Sequence, residues 1–315
     1  MFPLCLTAIL AAAPIPKGTT YEGSIALLIS KPEPGLLILS PTGEELKRVS
    51  LKELKGRVES VRLGRNNSCA FILTTETVDE EKKKYIYRGY FIDLIGKTTP
   101  KIVIQKDYSF SWVINRDATL AYGSEGDPKV VMEPHEVPPH LHWQLDLKSG
   151  KVQKIDLPAN HAIIDIAHDD DSLLTMHWPG KTYAEDIRAV VYSVKTWKPI
   201  FFSTEYQNPR LLSPDGKYII TTSKPKKIGI SLVYPMFILD TKTHKDVHLA
   251  DPEKCGSSSY SFGSNNRIVN IIETRADPTS TIYKQRVYVM HIDGSTNQLI
   301  YEPKNGELIT DCDWR

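Results

Sequence analysis

The densest concentration of chemically capable side chains is the segment MEPHEVPPHLHWQ, which carries Glu133, His135, Glu136, His140, His142 and Trp143. Imidazole and carboxylate are ordinary ligands of a transition metal, and two histidines separated by one residue on a strand project from the same face. His140 and His142 are therefore candidate ligands of one ion, with His135 or Glu133 supplied by the preceding loop. The string is not the zincin motif, because its spacing is one too long and Pro138 and Pro139 forbid the helix that motif needs. The plainer reading is a proline-stiffened surface loop of solvated polar groups, and no bound cofactor is expected. Aromatic rings accompany the histidines: Trp143 follows His142, and Trp178 sits beside His177 and near Tyr183. Such rings stack on a sugar or receive a peptide side chain, or else pack inside the fold. The candidate ligand-binding set is thus His135, His140, His142, Trp143, His177, Trp178 and Tyr183.

Other motifs point away from catalysis. No G-x-S-x-G elbow is present, since Gly123-Ser124-Glu125-Gly126 has the wrong spacing. Neither a phosphate-binding glycine loop nor a dinucleotide fingerprint occurs, so no catalytic residue is assigned. His168-Asp169-Asp170-Asp171 offers oxygen ligands for calcium but lacks EF-hand spacing and reads as a turn. Asp79 to Lys84 is a mixed-charge loop tip, and Lys224 to Lys227 is too small a basic patch for nucleic acid. A formal net charge of +1 over 315 residues excludes a general attraction to nucleic acid or to an anionic membrane. With 41% hydrophobic and 24% charged residues, the composition suits a packed core.

The elements that would position these residues show themselves as a period. Hairpin-like turns between alternating strands recur at Gly43, Gly96, Gly150, Trp197, His244 and Gly294, roughly 50 residues apart. A second turn, out of phase with the first, recurs at Asn66, Asp117, Asp170, Asp215 and Asn265 with similar spacing. Asp, Asn and Gly tolerate the positive φ that short hairpins require, and Val, Ile, Tyr and Phe dominate the flanks. Each unit reads as four strands, which predicts an all-β, six-bladed β-propeller of four-stranded antiparallel blades. The nearest approach to a helical pattern, LKELKGRVESVRL, is interrupted by Gly56. The second turn is one short, and the chain ends GELITDCDWR, which resembles the strand that should precede it. The C-terminal strand is therefore expected to complete the N-terminal blade, pairing near residues 21 to 30 and removing the exposed edges. Two packed sandwiches are the alternative, but they would not require matched spacing throughout.

PRLLSPDGKYIITTS, and more loosely WVINRDATLAYGS, resemble the repeats of TolB-type (WD40-like, PD40-repeat) propellers, with Ser213-Pro214-Asp215-Gly216 the clearest match. The resemblance implies a propeller with a binding role, and no catalytic residues, because the repeat motif is a turn. In such a disc the tight turns share one face and the longer second-to-third-strand loops share the other. Thr75 to Lys84, Glu125 to Pro139, Trp178 to Ile187, Lys224 to Pro235 and Arg275 to Lys284 fall on that loop face, the expected binding surface.

The apolar run Met1 to Ala13, followed by small residues and prolines, is too short to span a bilayer and suits a signal peptide. It lacks a preceding Lys or Arg, and Pro14 follows Ala11-Ala12-Ala13. The expected division is a signal peptide over 1–17 and one propeller over 18–315, extracytoplasmic (periplasmic or secreted), with no integral membrane span. Of Cys5, Cys69, Cys255 and Cys312, Cys69 reads as a buried small hydrophobe, and a Cys255–Cys312 bridge is conceivable. The functional expectation is a non-catalytic propeller binding a protein or peptide through its loop face. The competing reading is a metal-assisted glycan lyase or hydrolase using His135, His140 and His142; a carbohydrate-binding module is a third.

Overall fold

The computed structural model describes residues 23–315 apart from 65–66, 82–83, 97–98, 108–109, 128, 131–135, 181–185, 206, 225, 229–230, 234–235, 251–255, 276–282, 294–296 and 305. Among the described residues there is no α-helix; the β-branched and aromatic runs all form strands. They assemble into six four-stranded antiparallel sheets, the blades of a β-propeller. Blade I contains β1 (Ile25–Lys31), β2 (Gly35–Leu39) and β3 (Glu45–Ser50), and receives β26 (Leu308–Trp314) from the far end of the chain. Blade II is β4 (Arg57–Leu63), β5 (Cys69–Asp79), β6 (Lys84–Asp93) and β7 (Lys101–Lys106). Blade III is β8 (Phe110–Ile114), β9 (Leu120–Gly126), β10 (His140–Asp146) and β11 (Val152–Lys154). Blade IV is β12 (His161–Ile166), β13 (Ser172–His177), β14 (Arg188–Ser193) and β15 (Lys198–Phe202). Blade V is β16 (Asn208–Leu212), β17 (Tyr218–Thr222), β20 (Met236–Asp240) and β21 (Asp246–Ala250). A small hairpin, β18 (Lys226–Ile228) and β19 (Ser231–Val233), is inserted between its second and third strands. Blade VI is β22 (Gly256–Phe262), β23 (Arg267–Arg275), β24 (Tyr283–His291) and β25 (Asn297–Tyr301).

The alternation of side chains explains the ring. Ile25, Leu27 and Ile29 of β1 pack toward Val269, Ile271, Val287 and Val289 of blade VI, while Ala26 and Leu28 pack toward Val61, Ile72 and Ile92 of blade II. Each remaining seam has its own apolar core. Phe71, Phe110, Trp112 and Trp143 fill II–III, Tyr122, Ile163 and Leu173 fill III–IV, Leu174, Val191 and Leu212 fill IV–V, and Ile220, Phe262 and Ile268 fill V–VI. Full burial of one such side chain contributes about 1.5–3 kcal/mol, so the seams hold the disc together.

Turn chemistry sets the two faces. Gly43, Gly150, Trp197 and His244 share positive φ values of 95°, 74°, 53° and 58°, as expected of equivalent turns. Trp197 is half-buried against Tyr122, with ring centroids 6.2 Å apart. Asp93, Asp146 and Asp240 open their turns by accepting two backbone N–H groups each at 2.7 to 3.0 Å. Both turn sets lie on one face, joined by backbone bonds such as Leu147 N–H to Thr119 O and Val194 N–H to Asp171 O, each 2.9 Å. His168 to Asp171 is one of these turns, with Asp170 in the left-handed region.

The last strand closes the disc. β26 pairs with β1 in antiparallel register, Ile25 opposite Trp314 and Leu27 opposite Cys312. Ser24 N–H donates to Arg315 O at 2.7 Å, and Arg315 N–H returns a bond to Ser24 O at 3.1 Å. The Trp314 indole is 1% exposed and lies on Gly263, where a Cβ would come within 2.0 Å of the ring. Cys69 and Cys312 are buried free thiols, and the Cys255–Cys312 pairing involves a residue that is not described. Cys312 faces the blade VI–I core, its Sγ 3.6 Å from Ser259 Oγ; Cys255 lies outside the described residues.

Charged residues gather where the innermost strands meet. Asp313 on β26 accepts Leu63 N–H of β4 at 2.7 Å, and Asp311 accepts Val61 N–H at 2.9 Å. Asp165 on β12 accepts Leu212 N–H of β16 at 2.9 Å, and Ser261 Oγ on β22 accepts Trp314 N–H at 3.0 Å. Arg62 pairs with Asp311 at 3.2 Å and Arg315 with Asp313 at 3.3 Å. Burial works against the Arg62 charge, yet Asp311, Asp313 and Asp165 hold its guanidinium above the ordinary arginine range. The cavity they enclose measures only about 10 Å³, room for about one water.

Candidate functional site

The candidate residues cluster on blade III and its seams. Glu133, His135 and Tyr183 lie outside the described residues. His140, His142 and Trp143 stand on β10, paired with Gly126, Ser124 and Gly123 of β9. Because neighbours on a strand point oppositely, β10 serves two seams. His140 and His142 face blade IV, while Leu141, Trp143 and Leu145 face blade II.

On the blade IV side the imidazoles form a buried array. His142 Nε2 bonds Pro158 O at 3.1 Å, and its Nδ1 lies 2.9 Å from Ser124 Oγ, which accepts Ile163 N–H at 2.7 Å. That network makes His142 a neutral Nε2–H tautomer whose two nitrogens both serve the seam. The His140 ring stacks between its neighbours, 5.3 Å from Trp178 and 6.4 Å from His142, with interplanar angles of 10° and 12°. On β12 and β13, His161 lies opposite His177, their rings stacked at 4.5 Å. His161 Nδ1 is 3.0 Å from Thr175 Oγ1, and His177 Nε2 accepts from Asn160 Nδ2 at 2.9 Å. Burial, reinforced by the neighbouring imidazole of His142, pulls His140 down to about 4. Burial and the charges of His177, His142 and His140 take His161 to about 3. Desolvation also lowers His142 and His177. At neutral pH the array is uncharged.

The structure brings His140, His142, His177 and Trp178 together but separates Trp143 from them across the sheet. Neither indole offers an open stacking platform, since Trp143 and Trp178 are each 6% exposed. His142 could ligate a metal only by releasing its seam contacts, and among the described residues no three His, Cys, Asp or Glu side chains converge as a metal site. Sequence reasoning passed over His161. Counting outward equally from the His168–Asp171 turn sets Ala162, not His161, opposite His177; the register shift between Ile163 and Asp165 brings His161 there.

On the blade II side lies a cleft of 330 Å³ between the faces of two blades. Its walls are Val103, Ile104 and Lys106 of β7 and Leu141, Trp143 and Leu145 of β10, with Val152 and Lys154 of β11 at the outer edge. Gly123 makes this floor: a Cβ there would approach the Trp143 ring to 2.0 Å, so only glycine lets the indole lie flat across β9. Glu125 Oε2 accepts from Trp143 Nε1 at 3.2 Å and pairs with Lys106 Nζ at 3.2 Å. The segment Gly123-Ser124-Glu125 thus seats an indole, orients an imidazole and fixes a lysine. Its sequence signal was a small-polar-acidic run inside a strand, which no catalytic motif explains.

No protein-family model matches the sequence, and no curated protein matches it. Solved structures do. The propeller domain of the trilobed protease from Pyrococcus furiosus aligns with a TM-score of 0.51 at 14% identity, over 90% of this chain and 83% of that one. A chain of a nidogen/laminin complex aligns with a TM-score of 0.60 at 7% identity, over 93% and 98%. Pyrococcus horikoshii acylaminoacyl peptidase gives 0.51 at 14% identity, over 90% of this chain but 45% of that one. The P. furiosus domain is described as having an open velcro topology, whereas here β26 pairs along β1. At these identities the likeness is one of architecture, and it agrees with the strand order: this chain is a six-bladed β-propeller.

Proposed function

We propose that this propeller is a non-catalytic binding protein that takes a protein or peptide partner in an extracytoplasmic compartment. The observation that carries the reading is the blade II–III cleft. It is large enough for several side chains, begins at Leu141 on the loop-face end of β10, and presents Leu141 and Val152 at 39% and 62% exposure. Exposed apolar side chains at both ends of a preformed cleft, Leu141 toward the loop face and Val152 opposite Leu145 toward the turn face, are what a protein-binding surface offers. The TolB-type repeat at Ser213 to Gly216 and the leader-like residues 1–17 support a binding role after export. The His-rich seam supports the metal-assisted enzyme less well, because two ring nitrogens of that proposed site already hold the fold.

The test is partner capture from the source organism's extracytoplasmic fraction, comparing the native protein with Leu141→Glu/Val152→Glu. A partner retained by the native chain and lost from the double variant, at unchanged melting temperature, is the expected result. Capture indifferent to both substitutions would move binding away from this cleft.

A further inference from the structure

Resting on that reading, we infer that the blade II–III cleft receives a short extended segment carrying alternate apolar side chains and a flanking carboxylate. Length comes first. The cleft follows β10 from Leu141 to Leu145, a run of about 13 Å at strand rise, which matches four or five extended residues. In an extended chain every second side chain points the same way, as do Leu141, Trp143 and Leu145 on the wall. An occupant lying along β10 can therefore place two or three apolar side chains against Leu141, Ile104 and Val152, the accessible part of the lining.

Polarity comes next. The Trp143 Nε1–H is already bound by Glu125, so the floor presents no unmet indole donor and rewards apolar contact. The cleft is open to solvent. A peptide can leave its backbone polar groups to water there while its side chains descend, whereas an alkyl chain would keep one flank wet. Charge then selects the flank. Glu125 is engaged by Lys106, and Lys154 stands exposed at the outer edge of the same cleft, so the lining carries one positive charge in excess. Lys154 stands opposite Trp143, midway along the run on the outer strand, and its long side chain reaches toward a carboxylate flanking the inserted residues; a lysine there meets its repulsion.

The probes are three: the labelled hexapeptide acetyl-Glu-Leu-Ser-Leu-Asp-Phe-amide, the same peptide with both acids replaced by lysine, and dodecanoate. Each is titrated against the full chain by fluorescence anisotropy, directly or in competition. The acidic peptide should bind about tenfold more tightly than its basic counterpart. Lys154→Glu should reverse that order, and Val152→Asp should remove binding of both without shifting the melting temperature. Equal affinity for both peptides, no peptide binding, or dodecanoate binding tighter than either would overturn the inference. If that happens while partner capture still depends on Leu141 and Val152, the binding reading survives alone; if capture is also indifferent, both fall.

Discussion

The axis of the disc and the seam between blades III and IV each bury several ionisable groups, yet they surround them with different partners. At the axis acids face bases: Arg62 and Arg315 meet Asp311 and Asp313, and the carboxylates also accept backbone N–H groups from the neighbouring blade, while burial pushes the Asp311 carboxyl up and Arg62 pulls it back down. At the seam the groups stay neutral: four imidazoles stack on one another and on Trp178, and burial forces their protons off. The difference follows from partners. A carboxylate beside a guanidinium recovers part of its desolvation cost, whereas an imidazolium beside another imidazolium adds repulsion to that cost. The axis is therefore intolerant of losing one member, and the seam is intolerant of acid.

Breaking the axis should have the largest effect. Asp313→Ala removes the acceptor of Leu63 N–H and the counterion of Arg315, whose side chain is 3% exposed. Leaving a buried guanidinium uncompensated costs about 3–5 kcal/mol, so urea unfolding should show a loss of that size. Asp313→Asn, which keeps an acceptor oxygen but not the charge, should lose nearly as much; a loss much smaller than that of Asp313→Ala would mean that the hydrogen bond and not the charge matters.

A steric break at the closure comes next. Gly263→Ala places a methyl group against Trp314, and overpacking of this kind costs about 1–3 kcal/mol. Gly123→Ala should cost a similar amount by lifting Trp143, and should also close the cleft, read as weaker peptide binding.

Acid should act on the seam over a defined window. Above about pH 6.5 neither the folded nor the unfolded chain protonates these rings. Between about pH 6.5 and 4 the unfolded chain takes up protons that folded His140 refuses, and His161 refuses them to about pH 3. Stability therefore falls as pH falls, on the order of 1 kcal/mol per pH unit for each such ring at most. His161→Phe keeps an aromatic ring beside His177 but removes one titrating group, and Thr175 retains its bond to Val190 O. The melting temperature of this variant should depend less steeply on pH in that window. An unchanged slope would remove His161 from the explanation.

How much of this was legible in the sequence differs between fold and site. The two turn series announced themselves because φ > 0 favours Gly, Asn and Asp locally; Gly43, Gly150, Trp197 and His244 share that conformation, Gly96 does not, and Gly294 lies outside the described residues. Closure by β26 was legible for the same reason, as a strand lacking its turn. The site was not. Alternation correctly put His140 and His142 on one face, but it also sent Trp143 to the other seam, and their neighbours Ser124, His161 and Lys106 come from three other strands whose approach no local pattern announces. The charged axis was invisible in the same way, since Arg62, Asp165 and Asp313 belong to three different blades and no local pattern joins them.

The smallest effect should come from an ion pair of ordinary chemistry without burial. Lys195 Nζ sits 2.6 Å from Asp171 Oδ2, closer than either axial pair, but the side chains are 72% and 46% exposed. Water and salt screen such a pair, and holding two flexible side chains together costs entropy. Lys195→Ala should leave the melting temperature within about 1 °C of the parent at physiological salt. A loss approaching that of Asp313→Ala would mean that distance, not burial, governs ion pairs in this protein. The contrast between the axis and the surface would then have no physical basis.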